Sequence, residues 1–359
     1  MPRMITAPDD PQLDELCEQL AQLAPQLENP GAWPADQLDL CAKYGVFDWF
    51  LPRDVGGLEW SEGDVTRGYA KLSSACLTTT FVITQRAGAC RRIAVGDSTW
   101  AREQLLPDLR TGHSFATVGI SHLTTSRRHL GRPVLRATEI ETGWLLDGYS
   151  PWVTGAPAAD TVVVGATLSD GREVLIALPT NLPGVHVPQP ANLIGLNASQ
   201  TGPVECEQVE VDARYLLAGP QHDVMKSGSG ANTGGLQTST LAVGLADAAI
   251  GFIEGESDPR RELVGPAATM RDEWQSLYDE LLAAAEGRTA CSASEVRRRA
   301  NSLVLRAAQA ALAAAKGAGY IVGHPAGRWC REALFFLVWS CPQPVMEANL
   351  CELAGMNDL

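Results

Sequence analysis

Gly143-Trp-Leu-Leu-Asp-Gly-Tyr-Ser-Pro-Trp-Val-Thr154, followed by Ala159-Asp160 and the run Thr161 to Thr167, sets the character of the middle of the chain. Glycine and proline punctuate short runs of Trp, Leu, Tyr and Val, residues that suit a pleated, half-buried surface. The same texture extends to both sides. Phe115 to Ile120, Trp144 to Leu146, Thr161 to Thr167, Glu173 to Leu178 and Val204 to Val211 are β-rich and are separated by Gly, Pro, Asn and Asp clusters. They predict a central antiparallel β domain over residues 113–220, with Pro179, Pro183, Pro188 and Pro190 marking one long surface excursion.

Outward from this region the hydrophobic period becomes helical. Asp10 reads as a cap and Pro11 as a first-turn residue, ahead of Leu13, Leu16, Cys17, Leu20 and Leu23 on one face. A second helix starts at Pro34 and stops at Gly45, and Ser61 with Asp64 makes a capping-box-like start for a third. Helices over Thr78 to Arg92 and Ser98 to Leu106 complete an N-terminal helical domain, residues 1–112. Lys226 to Gly235 reads as a flexible hinge by composition. Beyond it, in residues 221–359, come a stripe of Leu241, Leu245, Ala248 and Phe252 and a second of Met270, Trp274, Leu277 and Leu281. An alanine-rich helix from about Ser294 to Gly317 and a last helical run from Trp329 to Ser340, stopped by Pro342 and Pro344, follow. Helices, then strands, then helices without βαβ alternation argue against a Rossmann sheet and for an α+β, mainly helical protein ending in a four-helix bundle.

Composition excludes several function classes. The 359 residues are 45% hydrophobic and carry a net charge of −14, so a phosphate backbone would be repelled unless a basic patch were concentrated on one face. Arg297, Arg298 and Arg299 lie in a helical pattern and read as a solvated face, so no nucleic-acid partner is expected. The nine cysteines form no CxxC pair, and His113, His122 and His129 lack the spacing of a zinc set, so no metal is expected. Met1 to Asp10 holds prolines and acids rather than a basic segment with an apolar run, and no apolar stretch is long enough to span a bilayer, which predicts a cytoplasmic protein without a membrane partner.

Three segments carry a family resemblance that spans nearly the whole chain. Leu51-Pro-Arg-Asp-Val-Gly-Gly-Leu58, a helix pair and then Gly96-Asp-Ser-Thr-Trp-Ala-Arg-Glu-Gln-Leu-Leu-Pro-Asp-Leu-Arg-Thr-Gly112 form the first. Gly143 to Thr154 is the second and the most specific; Gly317-Ala-Gly-Tyr320 with His324-Pro-Ala-Gly-Arg328 and Arg331-Glu-Ala333 is the third. Together they resemble the acyl-CoA dehydrogenase flavoproteins, whose fold is an α domain, a small β domain and a C-terminal four-helix bundle. The resemblance implies FAD between the β domain and the bundle, with Ser121, Trp152 and Thr154 against the flavin ring. An indole can cover a flavin edge and exclude water, and a hydroxyl on a stiff strand can hydrogen-bond its N5. The residues alone also allow Trp152 as a core residue and Thr154 as an ordinary strand residue.

The resemblance places further residues. Arg127 replaces the family's phosphate-side serine in the loop that follows Ser121, where an arginine could pair with a pyrophosphate or CoA phosphate or belong to a charged surface loop, and Gly317 and Gly319 would lie at the adenine end of FAD. Lys316 replaces the first of the paired glycines there, and Ala313 the glutamine three residues before them. Gln85 and Arg86 lie on the helix that lines the acyl pocket in the family and either face that pocket or the helix surface, and His122 stands where the family has a glutamate. Counting from Arg331-Glu-Ala333, the place of the catalytic glutamate falls on Ser340, and the alternative place at the start of the first bundle helix falls near Gly234. Glu332 and Glu347 read as surface or salt-bridge acids. The expectation is a flavin-dependent oxidoreductase acting on an acyl thioester or related small molecule, homodimeric or homotetrameric. A flavin-dependent monooxygenase of the same fold and a flavin-free binding or assembly protein are the alternatives.

Overall fold

The computed structural model describes residues 4–124, 134–226, 235–258, 260–288 and 291–356. Arg127 and nearly all of the glycine-rich hinge lie outside the described residues. Five helices open the chain: α1 (Pro11–Leu23), α2 (Ala35–Lys43), α3 (Glu62–Ala75), α4 (Leu77–Val95) and α5 (Thr99–Thr111). Their starts follow local chemistry. The Asp10 side chain accepts from Gln12 N ahead of Pro11, and the Ser61 side chain accepts from Asp64 N, so that orphan N–H groups of the first turn are satisfied. Gly45 ends the α2 segment at φ 77°, a left-handed conformation that a residue with a Cβ resists.

The middle of the chain forms one eight-stranded sheet: β1 (Ala116–Gly119), β2 (Leu135–Ile140), β3 (Gly143–Val153), β4 (Thr161–Thr167), β5 (Glu173–Pro179), β6 (Val185–His186), β7 (Gly202–Asp212) and β8 (Leu216–Gln221). The strand order is β6-β7-β3-β2-β4-β5-β8, with β1 also on β4. A purely antiparallel sheet was expected; β4 instead runs parallel to β1 and, at one position, to β2. Residue alternation marks strands, but their pairing sense follows from tertiary packing, which no single run encodes. Val162 and Val164 face the sheet interior while Val163 faces α4 and α5, so both faces of β4 are dry and its sequence reads as an unbroken apolar run.

Helices return with α7 (Gln237–Glu256), α8 (Val264–Ala285), α9 (Ala293–Ala315), α10 (Pro325–Ala333) and α11 (Gln343–Leu353), after the single-turn α6 (Ser121–Thr124) that follows β1. One core joins these to the N-terminal helices. The α3 and α7 backbones approach so closely that a Cβ on Gly244 would stand 2.4 Å from Ala70 O. Buried Ala242, Ala246, Ala300, Ala307 and Ala311 allow the same on the α7–α9 side. In the N-terminal half, buried Trp49 stacks on Trp60, with centroids 4.1 Å apart.

The expected last helix is divided. It ends at Ala333, continues as a tighter turn over Leu334–Leu337 and gives way to α11. Pro342 and Pro344 begin that helix rather than closing the previous one, because proline suits a first turn, where its missing N–H has no partner to lose. Arg297 also departs from expectation. It is buried, and its Nη2 donates to Phe336 O at 3.1 Å and Trp339 O at 2.9 Å, holding the segment that precedes α11. Arg298 and Arg299 pair with Glu295 and Glu280 at the surface. Among the described residues no helix is long and apolar enough to cross a membrane.

Candidate functional site

A cavity of about 1280 Å³ opens where β1 and β3 meet α3, α4, α7 and the segment before α11. Its strand wall is built by a register change. Trp144, Leu146 and Ser150 of β3 are buried at even positions, and strict alternation would bury Trp152 beside them. Between Ser150 and Val153, however, β3 spends three steps where β7 spends two, from Val204 to Gly202. This bulge, which contains Pro151, reverses the parity: Val153 is fully buried and Trp152 is 49% exposed, its indole on the cavity wall.

Two hydroxyl residues share that wall. Ser121 stands at the start of α6, immediately after β1 and Ile120, and lines the cavity. Thr154 directly follows β3, is 3% exposed and accepts from Thr201 Oγ1 at 3.1 Å, while Thr201 also meets Ser199 at 2.8 Å. A relay of three hydroxyls therefore fixes the Thr154 Oγ1 position. The closeness of β1 and β3 explains Gly119, where a Cβ would stand 2.8 Å from Ser150 Oγ.

The opposite walls differ in character. On α4, Phe81, Thr84, Gln85, Gly88, Arg91 and Arg92 recur at helical spacing along the cavity. Phe81 packs edge-on to Phe335 and Trp339, which stack on each other with centroids 4.9 Å apart. This aromatic group continues into Ser340, a lining residue held at φ 45°. Glu62 of α3 supplies the one carboxylate among the described lining residues, and Arg91 Nη2 donates to it at 3.2 Å. Tyr69 lies deeper on α3, and burial pushes its phenol well above the usual value.

The residues singled out from the sequence divide accordingly. Ser121, Trp152, Thr154, Gln85 and Ser340 meet on one cavity. Arg86, expected beside Gln85 on the pocket, instead points the other way: one residue along a helix is a turn of about 100°, and its guanidinium lies 3.5 Å above the Phe47 ring, where burial lowers its pKa. His122 also turns from the cavity toward the sheet. Its Nε2 lies 2.8 Å from Gly165 O, which assigns the proton to Nε2, and burial lowers the pKa of the ring. Gly317 and Gly319 sit in the turn Lys316–Tyr320 at the end of α9 and are not among the lining residues.

Glu332 is neither at the surface nor in the cavity. It is 3% exposed, takes a bond from Thr78 Oγ1 at 3.2 Å and lies 3.9 Å from Arg328; burial raises its carboxyl pKa against the opposing pull of that arginine. Glu347 is exposed and accepts from Gln343. Glu62, Arg91 and Arg92 went unnoticed in the sequence, although Arg91 and Arg92 continue the helical spacing that starts at Phe81 and Gln85.

No family model matches the chain. It is 24% identical over 265 residues to the probable acyl-CoA dehydrogenase YngJ of Bacillus subtilis, covering 71% of this chain and 68% of that protein. It is 23% identical over an alignment of 368 positions to the glutaryl-CoA dehydrogenase of Desulfococcus multivorans, covering 94% of this chain and 91% of that protein. The solved structure of butyryl-CoA dehydrogenase from Megasphaera elsdenii superposes with a TM-score of 0.80 at 18% identity, over 96% of this chain and 97% of that one. These likenesses bear out the resemblance to the acyl-CoA dehydrogenases and the fold it implies.

Proposed function

We propose that this chain, an acyl-CoA dehydrogenase-type protein by sequence likeness and fold, is a flavin-dependent oxidoreductase that uses FAD and acts on an acyl thioester or a related small molecule. The observation that carries the reading is the turned-out Trp152. A bulge places a large flat side chain on a cavity wall instead of in the dry sheet interior, beside buried Thr154 and half-buried Ser121. An exposed indole flanked by hydroxyls fits a flat, polar-edged aromatic ring, and the cavity exceeds the size of an ordinary ligand pocket, up to about 1,000 Å³, as a ring plus a second substrate requires.

FAD, when bound, supplies the hydride acceptor. The protein's own residues do the rest. Trp152 covers the ring edge and keeps water from it, and Thr154, oriented by Thr201 and Ser199, offers its hydroxyl at a fixed point. Ser121 contributes a second polar contact at the end of β1. The aromatic group Phe81, Phe335 and Trp339 forms a dry end for the body of a substrate. For the adenosine end of FAD the residues fit less well: Ala313 has no polar group to offer, and only Gly319 of the two candidate glycines packs tightly, since a Cβ there would stand 2.7 Å from Ala315 Cβ. A second copy of the chain, in a homodimer or homotetramer, would have to complete that end.

Removal of an α-proton requires a base within reach of the substrate. Glu62 is held in an ion pair with Arg91, and Ser340 is not a base at neutral pH, so acyl-CoA oxidation by this cavity is slow unless the substrate's own acidity assists. Equilibrium dialysis with FAD, followed by anaerobic mixing with acyl-CoA, tests the reading. FAD retention with slow bleaching is the expected result; failure to bind FAD removes the proposal.

A further inference from the structure

Arg91 and Arg92 are neighbours on α4 and both line the cavity, yet only one is neutralised. Arg91 is paired with Glu62. Arg92 is 7% exposed, and its Nη1 donates at 2.8 Å to Gly88 O of its own helix. Among the described residues no carboxylate pairs with Arg92, and outside them Asp358 is the one Asp or Glu of the sequence. A guanidinium carries five N–H donors in a rigid fork, and the bond to Gly88 uses one. The side chain lines the cavity, and among the described residues the fork makes no other hydrogen bond.

An ion withdrawn from water without a counter-ion is costly, and its retention calls for a reason. Burial, with Arg91 as the smaller cause, pushes the Arg92 guanidinium down to about 10, which still leaves it charged at neutral pH. The C-terminal end of α4 favours a cation in its last turn, but that preference is met equally by a side chain pointing to solvent. Its place within the cavity points the same way. Phe81, at the other end of the same helical stripe, belongs to the apolar group with Phe335 and Trp339, roughly 16 Å from Arg92 at 1.5 Å per residue. One end of the cavity is therefore dry and aromatic, and the other presents an uncompensated fork beside Val118 of β1.

We propose that Arg92 makes this cavity selective for a substrate that carries a carboxylate, which docks on the open guanidinium fork while the apolar body lies toward Phe81 and Trp339. The assignment of this ligand as substrate rests on the oxidoreductase reading, but the binding itself does not need the flavin. Planar guanidinium and carboxylate match in a two-point contact, which a lysine reproduces only as a point charge.

The test uses full-length protein, with and without FAD, titrated with glutaryl- and pentanoyl-N-acetylcysteamine thioesters, which share chain length and differ in a terminal carboxylate. Calorimetry should give the acid at least about tenfold tighter binding in the wild type, a ratio near one in Arg92→Met, and an intermediate ratio in Arg92→Lys, whose retained charge serves the helix end equally well. No preference in the wild type, binding of neither thioester, or a preference that survives in Arg92→Met overturns the proposal. A shifted reduction potential of bound flavin in Arg92→Met with the acid preference intact also overturns it, since the arginine would then serve the cofactor. Protein that takes up no FAD yet keeps the acid preference removes the oxidoreductase reading and leaves the Arg92 assignment standing.

Discussion

The strand wall of the cavity and the wall before α11 face the same space and have fared differently. On the strand side, Trp152 and Thr154 of the twelve-residue stretch Gly143–Thr154 line the cavity together with Ser121 of the segment after β1. On the other side Ser340 occupies the point where the count from Arg331 puts the family's carboxylate, in a segment carried by Arg297 and Asn301 bonds to its carbonyl groups. The strand wall is a matter of register: one bulge decides whether an indole faces the sheet interior or the cavity. The segment before α11 is held by its backbone, which leaves its side chains free to change. On the proposed reading, register fixes the wall that would meet the ring, while the position opposite is free to carry Ser340.

Restoring a carboxylate tests that difference with the largest expected effect. Ser340→Glu should accelerate anaerobic bleaching of bound FAD by butyryl-CoA about 10²- to 10⁴-fold, the usual contribution of a positioned general base. Stopped-flow absorbance reads it, and an unchanged rate would mean that position 340 does not address the substrate.

Two tryptophans, Trp152 and Trp49, should respond to truncation in opposite ways. Trp49→Ala removes a fully buried ring stacked on Trp60 and should cost about 3–5 kcal/mol of stability by denaturant titration. Trp152→Ala removes a half-exposed ring and should cost less than about 1 kcal/mol while weakening FAD binding roughly tenfold. Equal stability losses in the two variants would place Trp152 in the core after all.

Thr154→Val keeps the shape and removes the hydroxyl that Thr201 orients. It should change FAD affinity by about 1 kcal/mol and shift the flavin reduction potential, with Ser199→Ala doing the same more weakly. A potential that does not move in either variant would sever the relay from the ring.

The smallest effect concerns His122, on the sheet side of the strand wall. Burial holds its folded pKa below the ordinary 6.5, so the unfolded chain takes up the proton first as pH falls. Stability should therefore be level above about pH 6.5 and decline below it, by at most about 1.4 kcal/mol per pH unit for one proton. His122→Gln, which keeps a donor for Gly165 O, should flatten that part of the profile in chemical denaturation; an unaltered slope would show that another group titrates there.

Much of the fold was legible because local signals were strong. Asp10 and Ser61 cap the helices they were expected to cap, and the alanines of α9 pack as the composition suggested. The cavity was legible on the strand side through the Gly143–Thr154 motif and the hydroxyl of Ser121. What escaped depends on direction rather than residue type. Arg86 and His122 each adjoin a lining residue in sequence and point elsewhere, since one step along a helix turns the side chain by about 100°. The parallel pairing of β1 with β4, the burial of Arg297 and the end of the last expected helix at Ala333 arise from contacts between distant segments. Arg92 is visible only when its neighbours are in place, because an unneutralised charge is a property of the surroundings and not of the sequence.

Whether the space beside Trp152 shelters a flavin ring decides everything built on this cavity. The visible absorption spectrum of the purified protein, before and after incubation with FAD and gel filtration, addresses it directly. Flavin bands that co-elute with the wild type and diminish in Trp152→Ala are the predicted result. A colourless wild type that elutes free of added FAD would contradict it.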